Sequence, residues 1–397
     1  MEQAFARMDA HALDTPQAKE RSISSLTRYL SEPASNDFEK ARAIFCWIAH
    51  NIDYDTESYF SETDPVTNAG DLLTHRRSVC SGYANLFASL ATEAGLTAYV
   101  IQGYAKGYSY SVNKKIDFSD TNHAWNGVVL EGKLYLLDNT WGAGYVDDSR
   151  RFVRRYEDFY FLTPPEQFIF RHLPEDPQWQ LLDDTVTQGE YVQMLNLHPA
   201  FFKNGLQLKS HQQATIKARE RVTIELIAPT DTLLLATPVK NKQSLPKSLV
   251  FMQRDKELVT VDLVFPEKGN YTLLLYAKKE HKEGNYRYAF EYTINVKKAK
   301  KKVTPYPQTF NLFMQYCYLY APLNGTLQEG STVGFEIKVK QAEKVSVVVY
   351  NKWFHLHKDG DIFTGTVTIP KGKRAVLYAQ FPDHPQYSGL LEYTIVP

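Results

Sequence analysis

The sequence predicts an α+β unit, helices packed on an antiparallel sheet, followed by two all-β sandwiches. Three observations carry that expectation. Before residue 95, apolar residues recur at spacings of three and four; after it, short alternating runs rich in Val, Ile, Tyr and Phe take over. Two short strings return roughly a domain's length later near the end of the chain. One cysteine stands where a loop turns into a helix, with a histidine and an aspartate on the two arms of a hairpin behind it.

The chain has 397 residues, too many for one ordinary core. Lys+Arg and Asp+Glu both number 45, so no global field steers it toward nucleic acid or an anionic membrane. No apolar run approaches the roughly 20 residues of a membrane span. The three cysteines, Cys46, Cys80 and Cys317, lie far apart and show neither a disulfide framework nor zinc spacing. Residues 1–13 lack the apolar stretch of a secretory signal. The default compartment is therefore the cytoplasm, with export, periplasmic or secreted, the alternative if a leader has been removed.

In chain order, residues 16–30 read as a helix on Ile23, Leu26, Tyr29 and Leu30. A second helix is expected at about 36–50, capped by Asn36 or Asp37, with Cys46 inside it as a small core residue. Asn51–Thr67 reads as a loop and Ala69–His75 as a short helix. Cys80 opens the next helix, with Tyr83, Leu86, Phe87, Leu90 and Ala94 on one face and Gly95 at its end. Thr97–Tyr104 is an expected strand, and Lys106–Thr121 a polar loop placed to cover the site. Asn122–Leu130 and Lys133–Trp141 then read as a hairpin about Glu131-Gly132. A short helix near 187–195 closes the first domain, residues 1–196.

From about 198 the reading is all-β, with strands such as Val222–Ile227, Leu258–Phe265 and Tyr271–Tyr276. Leu275-Tyr276-Ala277 returns as Leu377-Tyr378-Ala379, 102 positions on, and Glu291-Tyr292-Thr293-Ile294 as Glu392-Tyr393-Thr394-Ile395, 101 positions on. That offset is the size of an immunoglobulin-like sandwich. Two such domains are expected, 197–298 and 303–397, joined through the basic run Lys297–Lys302 as a solvated linker. Cys317 reads as core.

A thiol on the first helical turn faces unpaired N–H groups and the positive end of the dipole, which favour the thiolate. If Leu130 pairs with Lys133, His123 faces Thr140 and Trp125 faces Asp138. His123 and Asp138 then share a face as diagonal neighbours, roughly 5–8 Å apart. Cys80, His123 and Asp138 thus supply a nucleophile, a base and a group to orient the base. Ser81, Tyr83, Trp125 and Trp141 are candidates for substrate or oxyanion contact. One thiolate and one imidazole make a poor zinc set, and the Asp147-Asp148 and Asp183-Asp184 pairs lack calcium-loop spacing, so no metal or cofactor is expected.

These residues resemble a known family. Val79-Cys80-Ser81-Gly82-Tyr83-Ala84, His123-Ala124-Trp125-Asn126 and Tyr135-Leu136-Leu137-Asp138-Asn139-Thr140-Trp141-Gly142 are similar to motifs of the transglutaminase-like superfamily of papain-related thiol enzymes. Tyr160–Glu166 and His172–Leu182 resemble the continuation found in its kyphoscoliosis peptidase branch. The resemblance covers about residues 36–200 and extends more weakly to immunoglobulin-like repeats behind them. It implies a papain/transglutaminase-like core with Cys80, His123 and Asp138 as its triad. It departs at Ser78, where relatives carry Gly, a change expected to tighten the approach to the thiol.

The triad serves two reactions: a thioester resolved by water gives a peptidase or amidase, and one resolved by a lysine amine gives a protein–glutamine γ-glutamyltransferase. The first is the leading expectation, with a protein or peptide substrate, cell-wall peptides included. A non-catalytic protein-binding scaffold with a relic core is the third reading. No pattern names a ligand for the sandwiches or an oligomeric state.

Overall fold

In a computed structural model, residues 2–112, 116–299, 304–382 and 384–397 are described. The chain divides into two compact units, residues 1–192 and 193–397.

The first unit opens with helix α1 (Glu2–Leu13), where the polar, mixed sequence gave no such expectation. Met8 and Ala12 are buried, and Asp9 receives Nε and Nη2 of Arg42, both at 2.6 Å. Helix α2 (Ile23–Ser31) begins later than expected because Ser22 caps it, accepting from the Ser25 N–H; Gln17–Lys19 form a separate turn. Helix α3 (Asp37–Asn51) takes Asn36, not Asp37, as its cap, accepting from Glu39 N–H. Its buried residues, Phe45, Trp47 and Ile48 among them, run through the centre of the core.

The expected loop at 51–67 contains strand β1 (Asp53–Tyr54) and helix α4 (Thr56–Ser61). Helix α5 (Ala69–His75) follows as anticipated. Strand β2 (Arg77–Ser78) then pairs parallel with β1 and delivers the chain into helix α6 (Cys80–Glu93). Leu86, Phe87 and Leu90 of α6 are buried in the same core as Ile101, Trp125 and Val128 of the sheet behind.

That sheet is antiparallel, built from β3 (Thr97–Ala105), β4 (His123–Leu130), β5 (Lys133–Leu137) and, 34 residues beyond β5, β8 (His172–Pro174). Its order is β5-β4-β3-β8. Leu130 pairs with Lys133, and Glu131 and Gly132 both have positive φ, 49° and 78°. Two left-handed residues make the turn whose twist matches a hairpin, and Gly132 takes that conformation without steric cost. The register agrees with the expectation as far as Asn126–Leu137.

Beyond Leu137 the hairpin reading fails. Asn139–Ala143 form helix α7, not strand, because the Asp138 side chain accepts from the Trp141 N–H and starts a helical turn. The first unit continues with β6 (Gly144–Val146), β7 (Phe152–Arg154) and α8 (Pro165–Phe168) before β8. Among the described residues, no helix is long and apolar enough to cross a membrane.

The second unit is almost wholly β. Thr215–Ala218, Arg287–Val296, Gly269–Lys279, Thr232–Lys240 and Gln243–Ser244 form one sheet, in that order; Val250–Asp255, Leu258–Val264, Arg221–Ile227 and Gln207–Leu208 form the next. A second pair of sheets follows between Gln308 and Val396, its core joining Phe335 and Ile337 of one sheet to Val345, Leu377 and Tyr393 of the other. Cys317 is buried at the start of a strand. The repeated strings occupy equivalent hairpins: Leu273 pairs with Tyr292, and Ala375 with Tyr393. Both hairpins carry a register shift at the repeated Leu-Tyr step, Leu275/Tyr276 and Leu377/Tyr378. A bulge kept at one position in both copies is a designed feature of the strand. Lys300–Lys302 of the basic run lie outside the described residues.

Candidate active site

Cys80 is the first residue of α6, and Val79 before it supplies no side-chain cap. The N–H groups of Gly82 and Tyr83 return to the Val79 carbonyl, at 3.0 and 3.3 Å, so the donors the helix start offers beside the sulfur are those of Cys80 and Ser81. The thiol is half-buried. His123 hydrogen-bonds to it, and the backbone N–H of Ala124 donates to the sulfur. Burial alone would raise the thiol's pKa; the His123 bond and charge, with the Ala124 N–H, outweigh it and pull the thiol below its ordinary value.

His123 heads β4 and is 8 % exposed; its Nε2 lies 2.8 Å from Asp138 Oδ2, which leaves Nδ1 for Cys80. Burial disfavours the imidazolium, but the Asp138 charge and hydrogen bond, with those of Cys80, raise its pKa to about 10. Asp138 is fully buried. Burial pushes the carboxyl up, yet the charge and hydrogen bond of His123 and the bond from His172 hold it well below the usual carboxylate range.

The hairpin parity thus led to the right pair by an incomplete route. β5 stops at Leu137, so Asp138 is no strand residue facing Trp125. As the cap of α7 it directs Oδ1 to the Trp141 N–H, at 3.0 Å, and Oδ2 to the imidazole. One carboxylate thus both caps a helix and orients an imidazole.

A third imidazole joins them. Nε2 of His172, on β8, lies 2.9 Å from the same Asp138 Oδ2. Its role was missed because nothing in the sequence predicts that the three-residue strand β8 pairs with β3, Ala105 against His172. The available signals were a histidine heading the apolar pair Leu173-Pro174 and its place at the start of the His172–Leu182 stretch that resembles the kyphoscoliosis peptidase branch. Burial, only partly offset by Asp138, lowers the His172 pKa to about 4.

Among the described residues, His123, Asp138 and His172 form the group whose metal-binding atoms come within 4.8 Å of one another. Their spacing is that of hydrogen bonds. Ligand atoms around tetrahedral zinc stand roughly 3.3 Å apart, whereas both imidazoles here sit within 2.9 Å of one carboxylate oxygen. The residues do not fit a zinc cage without moving apart.

The other candidates separate. Trp141 stacks on His123, ring centres 5.0 Å apart, and lines a cleft of about 590 Å³ together with His123, Tyr54, Tyr59, Tyr108 and Phe152. Ser81 stays at the open helix start, partly exposed. Tyr83 leaves the set: it is 1 % exposed, and its hydroxyl donates to the Ile52 carbonyl at 2.7 Å, because the face of α6 that carries it points into the core. Trp125, also 1 % exposed, packs beneath both imidazoles, 6.1 Å from His123 and 5.2 Å from His172, beyond the reach of substrate. Gly107, Tyr108 and Ser109 of the expected covering loop form one wall of the cleft; residues 113–115 of that loop lie outside the described residues.

Ser78 does not crowd the thiol. It is fully buried, its hydroxyl donates to the Val66 carbonyl, and it packs under the helix start against Gly82. A Cβ on Gly82 would lie 2.0 Å from Ser78 Oγ and 3.1 Å from the Val66 oxygen. Gly82→Ala is therefore expected to destabilise the fold by about 1–3 kcal/mol through overpacking. Ser78→Gly in the same chain should recover most of that, read from unfolding midpoints. Equal losses with and without Ser78 would place the clash elsewhere.

A helix-start thiol packed on an antiparallel sheet, with an imidazole at the head of β4 and a carboxylate just past the end of β5, fits the transglutaminase-like/cysteine-protease fold. Residues 24–141 match the transglutaminase-like superfamily, and residues 189–307 match the KY-like, immunoglobulin-like domain. The chain thus carries a transglutaminase-like domain followed by a KY-like, immunoglobulin-like domain, the pairing that its resemblance to the kyphoscoliosis peptidase branch implies. It is 31% identical over 298 residues to the kyphoscoliosis peptidase of Mus musculus, covering 73% of this chain and 43% of that protein. It is 28% identical over 244 residues to hillarin of Drosophila melanogaster, covering 57% and 29%. The chain spans less than half the length of these relatives. Among solved structures, a putative cysteine protease from Cytophaga hutchinsonii aligns at 25% identity with a TM-score of 0.25, over 34% of this chain and 40% of that one.

Proposed function

We propose that the first unit is a cysteine-nucleophile enzyme that acylates Cys80 with a peptide or amide substrate and releases the acyl group to water. The observation that carries this reading is the continuous bonding from Cys80 through His123 to Asp138, with the thiol lowered and the imidazole raised. In that state the sulfur attacks the carbonyl carbon, and the N–H groups at the start of α6 receive the oxyanion. His123 gives its proton to the leaving amine as the C–N bond breaks, then takes one from water as the thioester is cleaved. Asp138 holds the imidazole in the required tautomer throughout.

The cleft favours an uncharged segment. Its walls are largely aromatic, with Tyr54, Tyr59, Tyr108, Trp141 and Phe152, and among the described residues no Asp, Glu, Lys or Arg lines it. A peptide bond flanked by apolar side chains suits such walls, and the name of the kyphoscoliosis peptidase relative points the same way. A glutamine carboxamide suits them as well, so transfer to a lysine amine is separated by experiment.

The test is alkylation of Cys80 by iodoacetamide across pH, in the wild type and in His123→Ala. Fast labelling at neutral pH that slows roughly tenfold in the variant is expected. Labelling as slow as a free thiol's, unchanged by the substitution, would overturn the reading. With an acylating peptide in hand, incorporation of a labelled amine in place of water would move the assignment to transferase.

A further inference from the structure

Asp138 is met by two imidazoles, although orienting His123 requires only one. Both bond to the same oxygen, Oδ2, His123 at 2.8 Å and His172 at 2.9 Å, while the Trp141 N–H holds Oδ1 at 3.0 Å. An ionised carboxylate only accepts, so each of the three groups facing it is a donor.

The two imidazoles differ in what their second nitrogen meets. His123 turns its other nitrogen to the thiol, where a second N–H finds an acceptor. His172 is 1 % exposed, stacked on Phe168 with ring centres 3.9 Å apart, and its buried Nδ1 meets no hydrogen-bond partner among the described residues. Protonating Nδ1 would bury an unpaired N–H. The charged and titratable groups around His172 are Asp138, His123, Arg171 and Tyr160. Arg171, stacked on Trp141, and His123 both oppose a further positive charge. The proton of a neutral His172 therefore sits on Nε2, pointing at Asp138.

We propose that His172 is a positioning residue of the site, a permanently neutral donor that locks the Asp138 carboxylate and shares its charge, so that His123 is held less basic than Asp138 alone would make it. This rests on the thiol–imidazole reading above and adds to it the control of when the imidazolium gives up its proton. The simpler role, filling an aromatic box between Phe168, Trp141 and Trp125, makes a different prediction. His172→Phe keeps that packing and removes the donor, whereas His172→Gln keeps an N–H at the Nε2 position.

The experiment follows the rate of Cys80 alkylation by iodoacetate against pH. The anionic reagent is drawn to the imidazolium, so its rate falls when His123 loses its proton. In His172→Phe the alkaline limb should move up by roughly 0.5–1 pH unit; in His172→Gln it should stay near the wild-type position. Alongside, ring 15N shifts of labelled histidine in the wild-type chain should show His172 neutral and Nε2-protonated from pH 5 to 9. An alkaline limb unmoved in His172→Phe, or a His172 that titrates in that range or carries its proton on Nδ1, overturns the proposal. If His172→Phe does not fold, the wild-type spectra and the Gln variant decide it. A wild-type thiol that labels no faster than a free one overturns the nucleophile reading instead, and the 15N result still decides the bond between His172 and Asp138.

Discussion

Asp138→Asn is expected to lower the rate of Cys80 acylation by roughly 10³–10⁴ while leaving the fold in place. The amide keeps one carbonyl oxygen, enough to cap α7 through the Trp141 N–H. Its other end presents N–H groups to two imidazoles that both need an acceptor there. His123 must turn over or shift its proton toward Cys80, and the thiolate loses its counter-ion. A variant acylated as fast as the wild type would remove Asp138 from the mechanism.

The same substitution changes how stability depends on pH. His123 binds its proton more tightly folded than unfolded, so its contribution is complete below about 6.5 and is lost as pH climbs toward about 10. Asp138 is held below its ordinary value, so its contribution is complete above about 4 and is lost as pH falls through its folded pKa. The stability difference between wild type and Asp138→Asn should therefore be largest between about pH 4 and 6.5 and shrink on both sides. Melting temperatures measured at several pH values test this; a flat difference would contradict it.

The second large effect lies away from the thiol. Arg42→Met is expected to destabilise the first unit by about 3 kcal/mol or more. Arg42 is buried, its guanidinium forked onto Asp9 at 2.6 Å through two nitrogens and placed over the rings of Phe5, Tyr156 and Phe161. Removing it leaves the Asp9 carboxylate with no counter-charge beneath α1. Arg42→Lys should recover only part, because an ammonium cannot fork or lie flat on three rings. The readout is the midpoint of tryptophan fluorescence on unfolding, and a shift under about 1 kcal/mol would show that α1 does not depend on this pair.

Much of this was legible in the chain because it is local. Asn36 announced a helix start, and Glu131-Gly132 fixed a register that held to Leu137. The Cys80 helix face was readable from its period, which already grouped Tyr83 with the inward Leu86, Phe87 and Leu90 and so spoke against its candidacy for substrate contact. What stayed hidden depends on distant pairing. α1 mixes polar and apolar residues without a clear stripe and is anchored by Asp9 meeting a residue 33 positions away. His172 reaches Asp138 across 34 residues through a strand of three. At Asp138 a side chain that caps a helix outcompeted the strand pattern of Asn139-Thr140-Trp141, a contest between local forces that periodicity does not record.

The matched register shift in the two sandwiches has a consequence for how the chain is made. Two neighbouring modules with the same final hairpin, bulged at the same Leu-Tyr step, offer each other nearly equivalent edges while the second is still emerging from the ribosome. Strand exchange between tandem copies is the characteristic misfolding route of such arrays. Outside Leu-Tyr-Ala and Glu-Tyr-Thr-Ile the copies differ, Arg287-Tyr288-Ala289 in one answering Ser388-Gly389-Leu390 in the other. Those differences at paired positions distinguish each hairpin's own partner strand from its neighbour's.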